Sequence, residues 1–150
     1  MTVSTSTAKA GPYAGSGTTG PFTVPFRFLE NSHLRVIKRS TTGVETDLVL
    51  TTDYTVSGAG SASGTVTLTR PLLTGEKLTI LRNVPLTQDA DYVAGDAFPA
   101  ETHERALDKL TMITQQLAEQ AGRSIKAPIT DGALNMTLPA AGERAGRVLA

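Results

Sequence analysis

One stretch, Phe98 to Lys126 (FPAETHERALDKLTMITQQLAEQAGRSIK), constrains this chain more than any other. It is the one long segment with an unbroken helical period. Pro99 suits a first helical position, where a missing N–H costs nothing. Glu101 and Glu104 then fall in the first turn, where the helix dipole favours negative charge. At ~100° per residue, Ala106, Leu107, Leu110, Ile113, Leu117 and Ala121 share one face. Glu101, Arg105, Asp108, Gln115, Gln116, Glu119 and Arg123 fall on the other. Glu101–Arg105 and Glu119–Arg123 are spaced as helical ion pairs. A helix of roughly 26 residues would be about 39 Å long, more than one small domain covers. The apolar stripe therefore asks for a partner, and Met112, on the polar side, is expected to be exposed or to touch something outside a bundle.

The stripe can pack on its own chain or on another, and composition narrows what the other partners can be. With 14 basic and 14 acidic residues the formal net charge is zero, against a nucleic-acid role resting on a basic surface. No apolar run approaches the ~20 residues that span a bilayer, and the first residues hold no signal-peptide core. The chain lacks cysteine, which removes disulfides, thiolate catalysis and most structural zinc designs. Aromatic residues make up 5% and Trp is absent, so Val, Leu and Ile must build most of the core.

Before the helix the text is β-like. Residues 1–20 have no apolar period and contain several glycines, which predicts either a mobile terminus or an extended arm that orders against a neighbour, with Tyr13 as an anchor. From Pro21, Phe22, Val24, Phe26 and Phe28 recur at period two on one face of an extended segment. Pro25 confines that segment to an edge or a bulge. Further short strands are expected in HLRVIKRS, VETDLVL, DYTVSG, GTVTLT and EKLTILRNV. Such a series predicts a small antiparallel β-sandwich or barrel over residues 21–88. Residues 89–97 form a linker, 98–126 the helix, and 127–150 an irregular tail. The class is mainly β with one long helix (α+β). Arg147–Ala150 reads like the start of something further, which suggests a fragment of a longer protein.

Chemistry is sparse. His33, at a strand start, reads as a surface or loop histidine. His103 projects onto the apolar face, where copies in a symmetric bundle would approach and protonation would loosen that end. No further metal ligands are placed beside it by local spacing. Asp89, Asp91 and Asp96 offer oxygens for calcium, but lack the twelve-residue EF-hand pattern. GAGSASG lacks the Lys-Ser/Thr ending and following helix of a phosphate loop. No nucleophile–base pair, nucleophile elbow or paired-carboxylate cleft emerges from spacing. We expect no catalytic residue, cofactor or metal.

Taken together, Phe26–Leu29, Asp53–Val56, Gly64–Leu68, Leu78–Arg82 and above all Phe98–Leu117 resemble the N-terminal virion-attachment region of bacteriophage tail fibres and tailspikes, the short-tailed phage type. The resemblance covers roughly residues 20–126. It implies a homotrimer with a helical neck, docked on a phage tail or adaptor protein through the β domain and the 1–20 arm. It also implies a virion location after synthesis in the host cytoplasm, and residues 127–150 leading into a fibre shaft or spike. Ala121-Gly122 departs from it, weakening the helix where apolar packing should strengthen. The expected function is a non-enzymatic structural component that trimerises through Ala106, Leu107, Leu110, Ile113, Leu117 and Ala121 and contacts neither nucleic acid nor membrane. The alternatives are a carbohydrate-binding or adhesin β-sandwich that contacts the host itself, and the non-catalytic head of a polysaccharide depolymerase. The scarcity of aromatic platforms argues against direct sugar binding.

Overall fold

The computed structural model describes residues 2–91, 99–132 and 140–144. Along the chain run β1 (Lys9–Ala14), β2 (Phe22–Val24), a 3-10 turn (Asn31–His33), β3 (Leu34–Arg39), β4 (Glu45–Asp47), β5 (Tyr54–Ser57), β6 (Gly64–Leu68) and β7 (Lys77–Arg82). Two helices follow, α1 (Ala100–Gly122) and the single turn α2 (Ala141–Arg144). The expected strands are present, and the class is α+β. All strand pairs are antiparallel, in two sheets of order β1-β7-β3-β4 and β2-β6-β5 rather than a closed barrel.

The alternating sequence explains the packing. Side chains of a strand point to opposite faces in turn, so Phe22, Val24, Phe26 and Phe28 all enter the core although β2 itself ends at Val24. Pro25 follows directly, and β2 is an edge strand, where a missing donor breaks no ladder. From the other sheet Val36, Leu78 and Ile80 meet these residues with Val66 and Leu68 in one cluster. Tyr54 ties the layers by donating its hydroxyl to Leu34 O at 3.1 Å.

Residues 9–14, read from sequence as part of a mobile terminus or an arm needing a neighbour, pair with β7 of their own chain. The register shifts between Ala10 and Tyr13, where Gly11 has φ +88° and Pro12 offers no N–H. That bulge hid the strand, because it breaks the period-two pattern after Ala8 and Ala10 have been buried. Tyr13 is an anchor, but within the chain: its ring lies 5.5 Å from that of Phe22 and its hydroxyl donates to Thr23 O.

The helix is shorter than its sequence period. Pro99 stands one place before the first helical residue, and its carbonyl accepts the His103 N–H at 3.0 Å. The helix stops at Gly122, and the Arg123 N–H turns back to Gln120 O. At 23 residues it is about 34 Å long. Of the two expected ion pairs Glu119–Arg123 forms, at 2.8 Å. Arg105 instead reaches Glu30 at 2.9 Å, because the β domain lies alongside. No helix among the described residues is long and apolar enough to cross a membrane. The readings that rest on Asp96, Phe98 and Arg147–Ala150 lie outside the described residues.

Candidate functional site

The helix lies on its own β domain, and it does so by the face that sequence alone assigned to solvent. Asp108, Lys109, Met112 and Gln116 are its buried residues. Spacings of four, four and their neighbours place Asp108, Met112 and Gln116 in one row along the axis. Met112 is fully buried against Leu29 and Val84, with Val3 and Ile113 beside them. The expectation of an exposed Met112 is thereby corrected: it packs on the β domain of its own chain.

Around this apolar plug the contacts are polar. Val84 N donates to Gln116 Oε1 at 2.8 Å, and Gln115 Nε2 donates to Thr5 O at 2.8 Å. Asp108 accepts from Val3 N at 3.3 Å. Its second oxygen lies 3.3 Å from Arg27 Nε, an ion pair whose angle falls outside a hydrogen bond. Lys109 pairs with Asp89 outside the helix and holds that carboxyl below its ordinary range, with Thr87 assisting. Arg82 is the most enclosed charge. It donates to Gln115 Oε1 at 2.6 Å and to Thr7 O at 3.1 Å, and stacks 4.9 Å over the Phe26 ring. Burial lowers its pKa to about 10, so it remains charged at neutral pH. Residues 3–8 thus run between α1 and the end of β7, joining both.

Among the described residues little covers the opposite face. Leu107, Leu110 and Leu117 are 51%, 61% and 49% exposed, and Ala121 is exposed too. Ala106 is half-buried, and Ile113 turns partly toward the Met112 cluster. The structure therefore brings the six stripe residues to one side of the helix, with Ile113 on the border. The clasping residues Asp108, Lys109, Gln115 and Gln116 were not singled out from sequence. A long apolar side chain amid them, Met112, was the available signal.

Beside the stripe runs an apolar groove of about 630 Å³ between α1 and the segment after β7. Leu29, Leu86, Ala106, Leu110 and Ile113 line it, with His33 at one wall. His33, expected at the surface or in a loop, ends the 3-10 turn and is buried, in a groove wall that faces α1. Burial lowers its pKa, although Glu30 at 3.8 Å opposes the shift. His103 is exposed at the rim of the same groove. Of the acidic residues considered for calcium, Asp89 is engaged by Lys109 and Asp91 is exposed, while Asp96 lies outside the described residues. Among the described residues no three His, Cys, Asp or Glu side chains gather as a metal site. The glycine-rich loop is folded against the strand-like segment after β2, with Gly60 N donating to Phe28 O at 2.8 Å.

No protein-family model matches the chain. It is similar to the tail spike protein of Salmonella phage epsilon15, with 40% identity over 129 residues, or 85% of this chain. The matched region amounts to 12% of that protein's length. This agrees with the resemblance read from the strand and helix motifs. The chain is homologous to a bacteriophage tail spike, a kinship consistent with its N-terminal tail-attachment region and supporting a structural, virion-borne tail component.

Proposed function

We propose that this chain is a non-enzymatic attachment module that makes a phage tail spike trimeric through α1 and fixes it to the tail through the β domain and its N-terminal residues. The observation that carries the reading is the division of the helix into two faces. One face is clasped to the β domain, and on the other, among the described residues, Leu107, Leu110 and Leu117 remain about half exposed. An apolar row of this kind is stabilised by burial against a partner. Three copies meeting along it would gain several kcal/mol per helix at ~25 cal/mol per Å², before the entropy of association. The partner on the tail side is a tail or adaptor protein, and neither nucleic acid nor membrane enters the scheme.

Light scattering of the 150-residue chain tests it. The expected mass is three copies, falling to one when Leu110→Asp and Leu117→Asp are combined. A monomeric parent chain, or a trimer indifferent to both changes, overturns the reading.

A further inference from the structure

The core of the sandwich and the seat of α1 are separate. Among the described residues no α1 side chain belongs to the larger cluster, while Met112 shares the smaller one with Leu29, Val84 and Val3. Leu29, Val84 and Val3 all lie outside the strands, so the helix rests on connecting segments rather than on a sheet. One of those segments, residues 3–7, buries almost nothing of its own. Ser4, Thr5, Ser6 and Thr7 are exposed, and Val3 is half-buried. What it supplies is backbone: Val3 N to Asp108, Thr5 O to Gln115 and Thr7 O to Arg82.

Those three side chains depend on it. Asp108 is 5% exposed and its Oδ2 has no hydrogen bond, so Val3 N is its one donor among the described residues. Arg82 is 2% exposed and its Nε is likewise without an acceptor. Taking residues 3–7 away removes a partner from each of these polar groups at once. An enclosed polar group left unmet is costly, and such networks fail as a unit. The groups regain hydrogen bonds by turning to water, and the helix has to lift for that.

We infer that residues 3–7 are a latch. Closed, they hold α1 and the sandwich as one body; withdrawn, they let α1 leave a sandwich that stays folded. The sheet keeps its own edge in the open state, because Ala8 O still accepts Arg82 N at 2.8 Å and β1 begins at Lys9. A segment with so little apolar burial is the kind that opens first. Leu107, Leu110 and Leu117 take no part, being exposed away from the Met112 seat. A tail protein that bound the Thr5 and Thr7 carbonyls would open the latch and so couple attachment to the freedom of the helix, a consequence that rests on the attachment reading.

Met112 reports the state of the latch, since a fully buried thioether is shielded from peroxide and an uncovered one is oxidised to the sulfoxide. The full chain is compared with one lacking residues 2–7 and with Val3→Asp, which sets a carboxylate beside Asp108. Peptide mass spectrometry reads Met112 apart from the other methionines, and hydrogen exchange reads β3 and β7. Both altered chains are expected to oxidise Met112 at least about tenfold faster while β3 and β7 stay protected. Met112 equally shielded in all three chains overturns the inference. So does loss of β3 and β7 protection in both altered chains, which would make the segment part of the sandwich itself. Light scattering gives the same mass for all three in either case, so the trimer reading stands or falls separately.

Discussion

Arg82, the last residue of β7, donates to Gln115 in the middle of α1 at 2.6 Å, and that bond joins the β-sandwich to the helix. The same guanidinium holds Thr7 O, so three separate parts of the chain meet on one side chain. Arg82→Ala leaves Gln115 and Thr7 without their donor. Hydrogen bonds to charged groups are worth about 1.5–3 kcal/mol, so the expected loss is ~2–4 kcal/mol in urea unfolding followed by circular dichroism. Arg82→Lys recovers little, because an ammonium cannot fork to both acceptors or stack on Phe26.

Met112 and Leu110 lie two residues apart on opposite sides of α1, and the same truncation should separate them. Met112→Ala opens a cavity beside Leu29 and Val84 and is expected to lower stability by ~2–5 kcal/mol. Leu110→Ala, at a position 61% exposed, should change the unfolding of monomeric protein by less than about 1 kcal/mol while weakening self-association. Comparing unfolding at dilute concentration with light scattering at high concentration reads both effects.

His33 makes the fold sensitive to mild acid. Its pKa in the folded chain lies below the ordinary 6.5 because burial disfavours the imidazolium. As pH falls through about 6.5 the unfolded chain binds a proton that the folded chain resists. Stability therefore decreases from pH 7 downward until the folded histidine also protonates. In His33→Gln that segment of the pH–Tm curve should flatten; an unchanged slope would place the acid sensitivity elsewhere.

Gly15 offers a test of the N-terminal strand. A Cβ there would stand 1.8 Å from Leu73 O, a backbone atom that cannot rotate away. Gly15→Ala is expected to displace the end of β1 from the turn before β7, breaking the 2.9 Å bond from Gly15 N to Glu76 O. A loss of ~1–3 kcal/mol is expected. Faster hydrogen exchange confined to residues 9–17 and 72–78 would locate it.

How much could be read from sequence depended on whether the relevant interaction left a period. Phe22 to Phe28 alternate, and Val66 and Leu68 alternate against Thr, so the strands of the sandwich were legible. The six residues of the helix stripe were legible as a row for the same reason. What escaped was held by irregular or polar contacts. β1 is broken by a bulge at Gly11 and Pro12. Asp108, Gln115 and Gln116 looked like a solvated face, because side chains that hydrogen-bond to distant backbone carry no local signature. The burial of His33 escaped because it comes from a 3-10 turn and from a groove shared with a helix distant in sequence.

The attachment of α1 to the sandwich also has a mechanical meaning. Asp108, Lys109, Gln115 and Gln116 are staggered over roughly 12 Å of helix at 1.5 Å per residue. A pull along the helix axis would load these bonds in parallel, as shear, with the Met112 plug resisting sliding. Bonds arranged this way share a force and yield together. The helix and sandwich should accordingly behave as one stiff strut under axial tension, and come apart far more readily if peeled from one end.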